Sequence, residues 1–320
     1  APADPLPRPR GRARVGAAPA TPSRPSPSTP APHAHARHKT EHAPAAPQRI
    51  FGIDFTSRPR GGVRGKSIVI AHAWLDGAAL TIERLQSITD FAAFEAFLAT
   101  PGPWLGGFDF PFGLPRRFVD AHLPGADWPA LMRWVGAQSR EDFCAVTFAA
   151  FSAARGDAAA KHRAVDAAFG SHSPLKTMDP VRRIAINPPV GLMLYEGAPR
   201  LLAAGLHVPG HCETGDARVA LEVYPGAVAL RLGPRHYKND KPHTAETLRA
   251  TRRRLVAALR AGQAGVPVAL PPRLARQAVD DGSGDALDAV LCAVAAAGAA
   301  LKGPDYGLPA FDPVEGWISG

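Results

Sequence analysis

Between Arg49 and Thr56 the chain alternates: Phe51, Ile53 and Phe55 fall on one side of an extended segment, and Gly52, Asp54 and Thr56 on the other. A period of two fits a strand rather than a helix, so a sheet begins here with a carboxylate on one of its faces. Two more extended stretches follow, 66–74 and 79–86. Asp76-Gly77 between them favours a tight hairpin, and Gly61-Gly62 supplies the preceding turn. Three adjacent antiparallel strands are therefore expected. A helix over about 90–98 then leads to a short strand in 104–111, which ends at Asp109 and is stopped by Pro111. The intervening crossover helix predicts that this strand runs parallel to one of the first three.

From Phe112 to about Ala217 the sequence mixes helix with Pro/Gly-rich loop and has no repeat, which reads as a long, lid-like insertion rather than a separate domain. Order returns in a strand from Arg218 to Pro225, where Glu222 faces away from Leu221 and Val223. A helix over 244–261 sets Arg249, Arg253 and Arg260 along one line with Arg252 beside it. Ser283 is placed to cap a small-residue helix over 284–294, on which Asp285 and Asp288 lie one turn apart. The fold class is α/β: a mixed sheet of three antiparallel strands followed by parallel ones, helices on both faces, and a helical and loop insertion at about 112–217.

The chain of 320 residues is 46% hydrophobic, enough to bury a substantial core. Residues 1–48 stand apart as a stretch of Pro, Ala, Arg, Ser and His with almost no large apolar residues. They are expected to form a disordered tail ahead of a domain spanning 49–320. Of the net charge of +9 much is tail; the remainder carries 30 basic against 26 acidic residues, so the body neither requires nor excludes nucleic acid. No apolar run approaches the roughly 18 to 20 residues of a membrane span, and no secretory h-region is present. The expectation is no membrane, no export and a cytoplasmic location. Cys144, Cys212 and Cys292 are odd in number and contain no CxxC pair, which suits reduced thiols. His211-Cys212 lacks a second ligand pair for zinc.

Carboxylates recur at element ends: Asp54, Asp109, Glu222, and Asp285 with Asp288. If they converge, their mutual repulsion calls for a cation, and one or two hard ions such as Mg²⁺ or Mn²⁺ are the economical choice. Two such ions, roughly 4 Å apart, suit phosphodiester hydrolysis. Each residue also has a plain structural reading. Asp54 before Thr56 can bond its own turn, Asp109 can serve a proline loop, and Asp285 can complement a helix dipole. Glu222 reads equally as a ligand or as a buried ion pair with Lys238, and Lys238 as a phosphate contact. Tyr237 reads as packing and Asp281 as loop. Arg249, Arg252, Arg253 and Arg260 read as a nucleic-acid backbone contact or as a solvated helix face, and Lys176 and Arg182-Arg183 are similarly open. Few aromatic residues accompany them, so a base-stacking platform is not expected.

Gly-Ile-Asp-Phe-Thr (52–56), Gly-Phe-Asp-Phe-Pro-Phe-Gly-Leu-Pro (107–115), Glu-Val-Tyr-Pro (222–225), Tyr-Lys (237–238) and Asp-Ala-Leu-Asp-Ala (285–289) together resemble the motifs of the domain-of-unknown-function 429 family. That family is regarded as predicted RNase H-like nucleases, and the resemblance covers about residues 49–320. The last motif is also similar to that of RuvC-type Holliday junction resolvases, in which a terminal-helix Asp-x-x-Asp-Ala supplies metal ligands. The resemblance implies an RNase H-like fold, metal ligation by Asp54, Asp109, Asp285 and Asp288, and a metal-dependent nuclease completed by Glu222 and Lys238. Aspartate at 109, where glutamate is usual, is a departure with a shorter reach. Two other classes share the topology. Actin-like and sugar-kinase-type phosphotransferases also open on a strand Asp, but their phosphate loops are richer in glycine than Asp54-Phe55-Thr56-Ser57. A non-catalytic scaffold for nucleic acid or protein is the third. DEDD-type exonucleases fit less well, because Thr56 occupies their glutamate position.

Overall fold

The computed structural model describes residues 48–320 apart from 63–64 and 234–235. The tail expected over 1–48 lies outside the described residues except for Gln48, which opens the first strand.

Strands β1 (Gln48–Asp54), β2 (Ile68–Asp76) and β3 (Ala79–Ile88) form the antiparallel trio, turning through Gly77 at φ +54°. Helix α1 (Phe91–Leu98), capped by Asp90, crosses to β4 (Trp104–Phe108), which pairs parallel to β1. The insertion supplies α2 (Arg116–His122), α3 (Trp128–Ala137), α4 (Arg140–Ala153), α5 (Ala158–Lys161) and α6 (Ala164–Phe169). A small hairpin of β5 (Met178–Asp179) and β6 (Ile184–Ala185) precedes α7 (Val190–Ala203). The chain returns through β7 (Arg218–Glu222), α8 (Pro225–Arg231), α9 (Ala245–Arg260), β8 (Val268–Ala269), α10 (Pro272–Asp280) and α11 (Asp285–Ala300). The main sheet runs β7-β4-β1-β2-β3-β8, with β4, β7 and β8 paired parallel to their neighbours. This mixed arrangement is consistent with an RNase H-like α/β fold.

Strand alternation sends side chains to two packed faces. Ile50, Ala71, Leu105 and Leu221 meet α8 to α11, whereas Phe51, Ile53, Ile70 and Phe108 meet α1, α3 and α7. The insertion builds no core of its own: Leu131, Phe143, Leu194 and Leu201 pack in the same cluster as Phe51 and Phe108. No helix among the described residues is long and apolar enough to cross a membrane.

Helix α11 lies close against the sheet. A Cβ at Gly52 would stand 2.1 Å from the Ala289 carbonyl and 2.2 Å from the Ala293 nitrogen, so only glycine admits the helix over β1. The alanine run of α11 serves the same approach and carries the helix past the expected end at 294. Its start also differs from expectation. Gly284, at φ +88°, holds the cap position, and Ser283 is not the cap. Asp281 accepts from the Ala286 N–H at 2.8 Å and from the Ser283 hydroxyl at 2.6 Å, so the loop aspartate fixes the helix entry.

Candidate metal centre

Parallel pairing of Ile53 with Phe108 puts the next residues, Asp54 and Asp109, side by side where β1 and β4 end, and the Asp109 N–H donates to the Ile53 carbonyl at 2.9 Å. The close approach of α11 over Gly52 brings Asp288, in the first turn of that helix, to the same point. One carboxylate oxygen from each of Asp54, Asp109 and Asp288 lies within 4.8 Å of the others. Asp288 is fully buried and Asp54 is 9% exposed.

Burial, followed by the charges of Asp288, Asp285 and Asp109, holds the Asp54 carboxyl well above the usual carboxylate range, with Lys238 acting against them. Burial likewise pushes Asp109 up to about 7; Lys238 pulls it back, while Asp288 and Glu222 add to the rise. Among the described residues no group donates a hydrogen bond to the side chain of Asp54 or Asp109. Asp288 differs, because the Tyr237 hydroxyl and the Lys238 ammonium each donate to one of its oxygens at 2.5 Å. Burial and Asp288 keep the Tyr237 hydroxyl protonated. Burial works against the Lys238 cation, but Asp288 and Asp109 outweigh it and raise its pKa. The Lys238 side chain remains 41% exposed, at the edge of the cluster.

The other sequence candidates are placed differently. Asp285 opens α11 one turn before Asp288 and stands outside the three-residue cluster, acting on Asp54 through its charge. Its own carboxyl is raised by burial and by Asp281. Glu222 pairs neither with a metal cluster nor with Lys238. Its oxygens accept from Arg163 Nη2 and Nη1 at 2.6 and 2.8 Å and from the Phe112 N–H at 2.8 Å. Arg163, 1% exposed at the start of α6, also binds Asp166 and the Glu315 carbonyl. Glu222 departs from expectation for a simple reason: the insertion folds α6 over the end of β7 and delivers a guanidinium whose fork matches the carboxylate. Nothing in the sequence around Arg163 marked it, since the insertion has no periodic pattern to place it. His172 was also missed; it lines a small cavity together with Asp109, Arg163 and Glu222.

Within the arginine row on α9, Arg252 is corrected. Arg252 is fully buried. It donates to Asp240 through both terminal nitrogens at 2.8 Å and to the Tyr237 carbonyl at 2.7 Å, so it anchors the segment carrying Tyr237 and Lys238 instead of meeting solvent. Arg249 pairs with Asp280 and Glu246, Arg253 with Glu246, and Arg260 donates to the Leu270 carbonyl. The three thiols are unpaired, and the Pro313 carbonyl occupies His211, which burial lowers to about 4 against the effect of that hydrogen bond.

No curated protein and no solved structure matches this chain. The family described as Protein of unknown function (DUF429) matches residues 52–310. That span takes in Asp54, Asp109, Lys238 and Asp288 together with the sheet and helices that position them, and the chain belongs to the DUF429 family.

Proposed function

We propose that the protein is a divalent-metal-dependent phosphodiesterase acting on nucleic acid in a reducing, cytoplasmic setting, with Asp54, Asp109 and Asp288 holding Mg²⁺ or Mn²⁺. The observation that carries this reading is an imbalance: three carboxylates converge within 4.8 Å, and the cation that touches them, Lys238, satisfies one. An all-oxygen donor set with two carboxylates lacking donors suits a hard cation. When bound, such an ion polarises a phosphate and activates water.

The chain's own groups have distinct tasks. Asp54 and Asp109 offer uncommitted oxygens from rigid strand ends. Tyr237 and Lys238 fix the orientation of Asp288, and Arg252 fixes Tyr237 and Lys238 in turn. Lys238 also presents positive charge at the rim, where a phosphate oxygen approaches. Asp285, one turn away, is an outer group that tunes Asp54 and can join the ligand set, and Glu222 tunes Asp109 from its ion pair.

One observation favours a second reading. Both oxygens of Asp288 are satisfied without any metal, as a non-catalytic scaffold with Lys238 as permanent counter-ion requires. Calorimetric titration of Mn²⁺ into wild type, Asp54→Asn and Asp288→Asn separates the two, followed by a cleavage screen on single strand, duplex, hybrid and junction. Binding lost in both variants, with cleavage by wild type, supports the hydrolase. A wild type that neither binds Mn²⁺ nor cleaves sinks it and leaves the scaffold.

A further inference from the structure

A second basic surface lies on the insertion. An open groove of about 330 Å³ is lined by Phe148, Phe151, Arg155, Lys161, Arg182 and Ile184. Three cations face one carboxylate there: Asp179 accepts from the Val181 and Arg182 N–H groups at 2.9 Å and meets the Arg182 guanidinium at 3.8 Å, which leaves Arg155 and Lys161 without a carboxylate in the groove. Phe148 and Phe151 stand three residues apart on α4, hence on one face of the helix, and both are half-buried. The Lys161 ammonium lies over the Phe151 ring at 4.6 Å from its centre. On the β5–β6 hairpin beside the groove, Val181 is 89% exposed and Ile184 61%, next to exposed Arg182 and Arg183. Among the described residues neither side chain belongs to the buried core.

Two connections tie the groove to the carboxylates. Helix α4 carries the two phenylalanines and begins at Arg140, whose guanidinium donates to the Ser57 carbonyl in the loop that follows Asp54. At fourteen residues the helix is about 21 Å long. On the other side the Lys161 carbonyl accepts from the Ser173 hydroxyl, and the neighbouring His172 lines the cavity beside Asp109.

We infer that this groove binds a single-stranded nucleic-acid segment, with Arg155, Lys161 and Arg182 meeting phosphates and Phe148, Phe151 and the hairpin's apolar tip meeting bases. The choice of nucleic acid as occupant rests on the phosphodiesterase reading. The choice of single strand rests on the groove itself. Against the expectation from sequence, two half-buried rings line the groove among cations, Phe151 beneath Lys161, and aromatic rings beside cations suit unpaired bases, whose faces a duplex does not expose.

The test uses the full chain in EDTA, so that binding is read without cleavage, and a fluorescent twelve-nucleotide oligothymidylate beside a duplex of equal length. The single strand should bind more tightly. The double variant Arg155→Glu/Arg182→Glu should weaken it at least about tenfold and lower the salt slope by about 1.4, at about 0.7 for each phosphate no longer neutralised. The same reversal at Arg249 and Arg253 should change binding far less. Phe151→Leu should cost about tenfold. Photo-crosslinking of an iodouracil-substituted strand to wild type, which involves no variant, should mark Phe148 or Phe151. Equal affinity for duplex, an unchanged Arg155→Glu/Arg182→Glu variant, or adducts confined to residues outside 148–186 would overturn the inference. Mn²⁺-dependent cleavage that ignores the groove variants sinks this inference alone; groove binding without any cleavage sinks the hydrolase reading and leaves the groove standing.

Discussion

Two buried acidic clusters sit at neighbouring strand ends, and they are built to opposite rules. Around Arg163, the guanidinium fork meets both Asp166 and Glu222, and the remaining capacity is taken by the Arg163 and Phe112 N–H groups and the Ser171 hydroxyl. Around Asp54, three carboxylates share one ammonium, and two of them receive no donor among the described residues. The first cluster is complete without anything from outside. Burial raises Glu222 in the first as it raises Asp54 and Asp109 in the second, but Arg163 pulls Glu222 back, whereas neighbouring carboxylates add to the rise of Asp54 and Asp109. Burial alone therefore does not mark an acid as functional. The distinguishing feature is whether the fold supplies the partners.

That contrast makes predictions of graded size. If the Asp54 cluster is the reaction centre, Asp54→Asn and Asp288→Asn each lower the Mn²⁺-dependent cleavage rate by about a thousandfold or more. Initial rates on a labelled oligonucleotide decide this, and a loss below about tenfold breaks the contrast. In the complete cluster, Arg163→Met strands two buried carboxylates and should cost about 3 to 5 kcal/mol in urea unfolding. Adding Glu222→Gln to Arg163→Met should recover part of that loss, and no recovery removes the case for a matched ion pair.

A further variant touches neither cluster's charges. Gly52→Ala places a methyl against the Ala289 carbonyl, so α11 must move off β1. The expected cost is about 2 to 3 kcal/mol, with Mn²⁺ affinity falling because Asp288 moves with the helix. Wild-type affinity in this variant would show that the close approach does not set the cluster.

The smallest effect concerns pH. Asp109 rises from 3.8 to about 7 on folding, so between those values the folded chain keeps a proton that the unfolded chain releases. Metal-free stability is thus greatest at the acid side of this window and declines as pH rises through it. Asp109→Asn removes the ionisation and should stabilise the metal-free protein at pH 8, flattening the slope. Thermal melts from pH 5 to 8 in EDTA read this directly. Mn²⁺ should erase the difference between pH values, since it takes the place of the protons.

Much of the architecture was legible in local pattern. Alternation at Phe51, Ile53 and Phe55, the Asp76-Gly77 turn, and the alanine-rich stretch from Asp285 onward each report a conformation through near neighbours. Asp54 and Asp288 follow from those elements, because a strand end and a helix's first turn are positions that periodicity can assign. The sequence by itself thus determined the antiparallel trio, the parallel strand after the crossover helix, and the two acids that anchor the cluster. It did not determine who pairs with whom. Glu222 was open between a metal and Lys238, and its partner proved to be Arg163, 59 residues earlier. Arg252 looked like part of a solvent-facing row, and only the packing of α9 against the 237–240 segment and the end of α10 buries it. Asp285 and Asp288 share one helix face, and the dipole role open to Asp285 already favoured Asp288; the approach of α11 over Gly52 then places Asp288 with Asp54 and Asp109 and leaves Asp285 outside. These outcomes belong to the tertiary structure because charge partners are chosen by distance in space, and no local repeat in the chain encodes which distant loop the fold brings within hydrogen-bond reach.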